Sequence, residues 1–222
     1  MTPQRLFRWA AFAGFACAVL LAVNVGRRGG LLPDTAVLNA IAPLGSLAGL
    51  FALTGLYLRQ RTAAGMLGLI GYGLNFAGLA GAFAIEYTLH FVFHYLPSDR
   101  VDALVDGGTG NAFRVTAIVL ICGVLVFGIA SWRARRYPVG AIAVYVVGMV
   151  PGSLRSVVPE PVYLGGLLLA AAGVAWLSLD LLATTRGEGP WRAASGLTSA
   201  TRRDDRSGPP GEARGPEWSL VA

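Results

Sequence analysis

The fold is decided by residues 62–96, TAAGMLGLIGYGLNFAGLAGAFAIEYTLHFVFHYL, which stay apolar for longer than one membrane crossing requires. A helix needs about 20 mainly apolar residues to cross the hydrocarbon core of a bilayer. Residues 62–84 are sufficient for that crossing, and residues 86–96 would then project into the interface. The sequence therefore predicts a spanning helix, followed by a segment that either extends this helix or lies along the membrane surface.

Five other apolar stretches are each about one crossing long, and the chain as a whole is depleted in charge. Of its 222 residues, 55% are hydrophobic and 14% are charged, whereas soluble domains carry about 25% charged residues. The pattern predicts an all-α, polytopic transmembrane helix bundle with six spans in one domain, residues 1–185. The spans are predicted at 9–25, 35–58, 62–84, 112–131, 138–154 and 162–184.

Residues 186–222 are rich in Gly, Pro, Ser, Arg and Asp and show no apolar periodicity. Such a segment cannot bury enough apolar surface to offset the entropy lost on ordering. We expect a disordered cytoplasmic tail that follows the last span.

The arginines predict the orientation, because short cytoplasmic loops carry an excess of positive charge. With the N-terminus in the cytoplasm, seven arginines and no acidic residue lie near the membrane on that side: Arg5, Arg8, Arg59, Arg61, Arg133, Arg135 and Arg136. Arg27 and Arg28 count against this orientation, but the acidic residues of the other loops support it. Six spans then place both termini in the cytoplasm.

The net charge of +6 comes entirely from arginine, because the chain has no lysine. A basic chain can indicate nucleic-acid binding, but these arginines lie in short clusters between apolar stretches, so we expect no nucleic-acid partner. The absence of lysine, with abundant Ala, Gly and Arg, suggests a GC-rich bacterial genome. We expect a bacterial plasma membrane protein whose main partner is the lipid bilayer; a protein partner or a homo-oligomer is open.

Small residues and buried amides predict how the helices associate, since close packing and polar contacts hold helices together in lipid. Three pairs of small residues have the required spacing of four: Gly45 with Gly49, Ala77 with Gly81, and Gly148 with Gly152. Asn24, Asn39 and Asn75 are expected to form hydrogen bonds between helices or to line a polar site. Asp180 is expected to reach water or to pair with a loop arginine such as Arg133.

The candidate site is Glu86-x-x-x-His90-x-x-x-His94, which contains both histidines of the chain. On a continuous helix a spacing of four places these side chains on one face, and imidazole and carboxylate groups are ligands for divalent transition metals. The competing interpretation is an interfacial belt, because tyrosine and phenylalanine are interleaved with the three residues and such belts are rich in aromatic side chains. A third possibility is a histidine that senses pH.

Residues 123–152, GVLVFGIASWRARRYPVGAIAVYVVGMVPG, contain an apolar helix with Phe-Gly, an arginine-rich end, a Tyr-Pro turn and a glycine-rich returning helix. This stretch resembles a hairpin in uncharacterised six-span bacterial membrane proteins, a family of unknown function. The resemblance implies a six-helix bundle; it implies no known activity and identifies no site residues.

Recognisable catalytic motifs are missing from the sequence. There is no phosphate-binding glycine loop that ends in lysine and no GxSxG nucleophile elbow. We therefore expect a non-enzymatic membrane protein with a structural or partner-binding role and no cofactor. A small-solute transporter or channel is the first alternative, because Pro43 and Pro151 interrupt two spans. A metal-binding protein or enzyme that uses Glu86, His90 and His94 is the second.

Overall fold

The structure is a computed structural model that describes residues 3–33, 35–155 and 157–185. The described residues form seven α-helices and one short 3-10 helix, Phe93–Tyr95. The helices are α1 (Pro3–Arg28), α2 (Ala36–Ile41), α3 (Leu44–Phe91), α4 (Ser98–Asp106), α5 (Gly108–Ala134), α6 (Val139–Gly152) and α7 (Glu160–Thr185). The tail predicted over 186–222 lies outside the described residues.

The long helix α3 reverses direction at Gly65. This glycine has φ 55° and ψ −149°, a conformation that is essentially restricted to glycine. Tyr57 and Tyr72 stack with their ring centroids 4.5 Å apart, although a straight helix would separate them by about 22 Å. Thus α3 is a helical hairpin with two limbs, which we call α3a (44–64) and α3b (66–91).

The two limbs and four other helices form a closed bundle in which each long segment runs opposite to its neighbours in the chain. Helix α1 packs against α3 and α7, α3 packs against α5, and α6 packs against both α5 and α7. The arrangement therefore follows the order α1, α3a, α3b, α5, α6, α7 and returns to α1. Short helices α2 and α4 lie in the connections at one end of the bundle.

Four stretches are long and apolar enough to cross a membrane: Gln4–Arg28, Ala36–Tyr95, Gly108–Ala134 and Glu160–Thr185. The chain is accordingly an all-helical, multi-pass membrane protein in its described part. The second stretch contains the hairpin, so it combines the two spans predicted at 35–58 and 62–84. Helix α6 has 14 residues, fewer than a full crossing requires.

Glycines allow close approach at two helix seams. A Cβ atom added to Gly78 of α3b would lie 2.4 Å from Leu120 Cα of α5, and one added to Gly148 of α6 would lie 2.2 Å from Ala170 N of α7. The predicted role of Gly148 in helix contact is therefore confirmed. On α3b the seam with α5 is formed by Gly71, Gly78 and Gly81; a Cβ added to Gly81 would lie 2.5 Å from Thr116 Cγ2. Of the predicted pair, Gly81 is therefore at the helix contact, whereas Ala77 is exposed.

The end of α3 answers a question that the sequence left open. Helix α3b continues to Phe91 and is followed directly by the 3-10 helix. Glu86 and His90 are therefore on the spanning helix itself, whereas His94 lies beyond its end.

Candidate functional site

A cavity of about 120 Å³ lies inside the bundle. All six long segments contribute to its wall, which is mainly apolar: examples are Leu21, Gly49, Leu79, Leu120, Met149 and Leu167. An apolar cavity of about 150 Å³ in another protein is large enough to bind benzene. The space can therefore accept a small apolar group without rearrangement of the helices.

Arg28 lies at one end of this cavity. Its Nε donates to Asn24 Oδ1 at 3.2 Å, one of its terminal nitrogens is 3.5 Å from Glu86 Oε1, and its guanidinium carbon is 5.9 Å from the centroid of the Tyr163 ring. Asn24, Glu86 and Tyr163 all line the cavity. Arg28 is thereby positioned by three different helices at the mouth of the apolar space.

Arg27, Glu86 and His90 extend this polar end. His90 Nε2 is 3.1 Å from Glu86 Oε2 and 3.5 Å from a terminal nitrogen of Arg27. Arg27 also donates to Asn24 and Asn39. The expected hydrogen bond between helices is confirmed for Asn39, which lies on α2 and accepts from Arg27 of α1. Asn24 instead accepts from Arg27 and Arg28 of its own helix.

Arg155, in the connection between α6 and α7, completes the group. It borders, with Arg27, Arg28 and His90, an open space of about 420 Å³. Arg155 is an exposed residue, and partial loss of solvent and, second, the positive charge of Arg28 lower its pKa. We call Arg27, Arg28, Glu86, His90 and Arg155 the Arg28 cluster.

The opposite end of the bundle is closed by polar contacts. Arg59 of α3a forms an ion pair with Asp180 of α7 at 2.5 Å, and its guanidinium carbon is 4.6 Å from the centroid of the Tyr137 ring. The Tyr137 hydroxyl donates to the backbone oxygen of Leu56 at 2.8 Å. Asp180 therefore pairs with an arginine of a predicted loop, as expected, but the partner is Arg59 instead of Arg133.

Two buried side-chain amides join the limbs of α3 to other helices, α3a to α5 and α3b to α6. Gln60 donates to Ser131 Oγ, and Asn75 donates to the hydroxyl of Tyr145, a residue of the cavity wall; both distances are 2.8 Å. These bonds favour this arrangement of helices, because a buried polar group that lost its hydrogen bond would raise the free energy of the folded state. The prediction that Asn75 would bond to another helix is confirmed.

The predicted metal ligands are only partly brought together. Glu86 and His90 are in contact, whereas His94 is exposed and its ring packs edge-on against Tyr95. Within the described ranges, no group of three or more His, Cys, Asp or Glu residues has a geometry that could hold a metal ion. Metal binding by Glu86, His90 and His94 stays a prediction, which elemental analysis of the purified protein tests.

Sequence reasoning found Glu86 and His90 but not the arginines that surround them. Arg27 and Arg28 entered the sequence analysis only as indicators of orientation, and Arg155 was not singled out. A signal was available for the first two: a pair of arginines at the predicted non-cytoplasmic end of a span opposes the usual charge rule. Such an exception indicates that the charges have another partner in the fold.

No protein-family model matches this chain, and no characterised protein and no solved structure has significant similarity to it.

Proposed function

We propose that this chain is a six-crossing, non-enzymatic membrane protein that binds a small molecule with an apolar part in the cavity of its bundle. The observation that supports this function is the cavity itself, which is enclosed by all six long segments and is lined mainly by apolar side chains. A bundle that served only as a structural element would have no need of such a space. Protein interiors otherwise pack to nearly the density of organic crystals.

Six crossings are part of the proposal. The reversal at Gly65 gives α3 two antiparallel limbs, and α6 runs between the same two ends of the bundle as its neighbours. We further propose that the end containing Arg59 faces the cytoplasm of a bacterial cell, since the arginine-rich short connections lie at that end.

The test compares two phenylalanine substitutions on α3b. Ala82 lines the cavity, whereas Ala77 is exposed on the same helix. The protein is purified from its membrane, and co-purifying small molecules are extracted and identified by mass spectrometry. We expect the wild type and Ala77→Phe to carry a ligand that Ala82→Phe lacks, because the added ring occupies the cavity.

Identical sets of co-purifying molecules in the two variants would contradict cavity binding. If Ala82→Phe does not fold, as judged by size exclusion and thermal melting, Ala82→Leu provides a smaller obstruction. The melting temperature of each variant is measured before its ligand content is compared.

Transport of the same ligand is the second candidate function. It is favoured by the asymmetry of the bundle, in which polar contacts of Arg59, Asp180 and Tyr137 close one end while the other is bordered by the open space beside Arg155. Alternating access requires such a difference between the two ends. Uptake of the identified ligand into proteoliposomes supports transport, and binding without uptake supports a binding protein.

A further inference from the structure

We infer that the Arg28 cluster binds the oxyanion head group, a phosphate or a carboxylate, of an amphiphile whose apolar part occupies the cavity. This inference rests on the cavity-binding function proposed above and specifies the chemical class of the ligand. It assigns a role to the three arginines, which orientation alone does not explain.

The charge of the cluster is the first argument. Arg28 and Arg155 border the same open space; Glu86 pairs with Arg28 at 3.5 Å, and Glu160 is a further acidic neighbour of Arg155. Arginine presents donors in a planar arrangement that matches the oxygens of phosphate and carboxylate groups. An anion between Arg28 and Arg155 would relieve the repulsion between these two side chains.

The availability of donors is the second argument. Arg28 is held in place by Asn24 and Glu86, so it presents a pre-positioned charge. Arg155 forms neither a hydrogen bond nor an ion pair with any residue in the described part of the chain, and it borders the open space of about 420 Å³. One arginine is therefore fixed, and the other is available to close over a bound head group.

The position of the cluster relative to the cavity is the third argument, and it favours an amphiphile over a free anion. Arg28 contacts Asn24, Glu86 and Tyr163, and these same residues form part of the cavity wall. A head group bound at Arg28 would have the apolar space directly beside it. A charged group near the hydrocarbon region is costly unless it is paired, and the arginines supply that pairing.

The experiment measures binding to the protein in phosphatidylcholine nanodiscs, with empty nanodiscs subtracted to remove partition into lipid. The probes are hexyl phosphate, hexanol and inorganic phosphate. We expect hexyl phosphate to bind about tenfold more tightly than hexanol, because a charge-assisted hydrogen bond contributes enough to change affinity by about that factor. Inorganic phosphate should bind more weakly than hexyl phosphate, since it cannot use the cavity.

The variants locate the effect. Arg155→Gln and Arg28→Gln should each remove most of the preference for hexyl phosphate over hexanol. Arg114→Gln is the matched control, because Arg114 is an exposed arginine near the start of α5 whose side chain bonds only to Asn111 among the described residues. If Arg28→Gln does not fold, Arg155→Gln still tests the proposal, since its side chain has no hydrogen bond to lose there.

The possible failures are distinguishable. If hexanol and hexyl phosphate bind equally and Ala82→Phe abolishes both, the head-group assignment is overturned and the cavity function stands. If Ala82→Phe changes the binding of no probe, the cavity function itself fails. If inorganic phosphate binds as tightly as hexyl phosphate, the cluster is a site for a free anion, and the amphiphile proposal is overturned.

Discussion

Substitution of Gly78 by alanine tests the close contact of α3b with α5, which brings together two walls of the cavity. The added Cβ would lie 2.4 Å from Leu120 Cα, 2.6 Å from Leu120 Cβ and 2.8 Å from Leu120 N. Two of these atoms are backbone, so a change of side-chain rotamer cannot relieve the clash. The helices would have to separate by about 1 Å to restore ordinary contact, which begins near 3.4 Å.

The cost follows from the packing that this separation loosens. Leu120, Val124 and Phe127 are buried on α5, and a radial gap of about 0.5–1 Å forfeits a quarter to a half of the dispersion energy of a contact. Overpacking of this kind typically costs about 1–3 kcal/mol. Alanine is favoured over glycine within a helix by about 0.5–1 kcal/mol, so the net destabilisation expected for Gly78→Ala is about 1–2 kcal/mol.

The measurement is the thermal midpoint of unfolding of the purified protein. Unfolding is monitored by intrinsic fluorescence, and all variants are compared in one detergent or nanodisc. A change of 1 kcal/mol shifts the midpoint by about 2–4 °C in a chain of this size. Gly73→Ala is the matched control. Gly73 lies on the same limb as Gly78, but a Cβ added there would have no neighbour within 4 Å. Gly78→Ala melting at or above the temperature of Gly73→Ala would refute the close contact between α3b and α5.

Two further predictions concern the hairpin and the closed end of the bundle. Gly65→Ala should destabilise the protein by about 1–3 kcal/mol, because φ 55° with ψ −149° strains an L-residue. The cost comes from the backbone alone, since no atom lies within 4 Å of the added Cβ. A thermal midpoint equal to that of Gly73→Ala would contradict the reversal at this glycine. Asp180→Asn should destabilise by about 2 kcal/mol, since it leaves the half-buried Arg59 without its carboxylate. The double variant Arg59→Gln with Asp180→Asn should be less unstable than the sum of its parts, and strict additivity of the two single effects counts against the ion pair.

Much of the bundle was predictable because the length of an apolar stretch is a local property of the sequence. The six apolar stretches that we predicted as spans fall on the helical segments α1, α3a, α3b, α5, α6 and α7. Four stretches of the described residues are long and apolar enough to cross a membrane, and six crossings stay a proposal. The break between the second and third predicted spans was expected at residues 59–61, where Arg59 and Arg61 interrupt the apolar sequence. In the structure these residues are helical, and the chain reverses later, at Gly65. Glycine is common in this chain, with 30 residues, so the sequence does not distinguish the glycine that reverses the helix from those that pack.

The helix seams were predictable in kind but not in detail. Small residues at a spacing of four correctly indicated that Gly81 and Gly148 meet a neighbouring helix, but the same rule selected Ala77, which is exposed. Which face of α3b packs depends on the rotation of that limb against α5. This rotation is set by the combined packing of both helices, so no local spacing can determine it.

The sequence by itself determined the class of this protein, an all-helical membrane bundle, and it singled out Glu86, His90 and His94 at the end of an apolar stretch, of which the structure brings Glu86 and His90 together. Only the tertiary structure decided that Arg28 and Arg155 join this pair beside a cavity. These residues come from α1, α3b and the connection before α7, and their distances depend on the order of helices in the closed bundle. The hydropathy of a segment indicates whether that segment is stable in lipid. Which charged side chains lie close together depends instead on how the segments pack against one another.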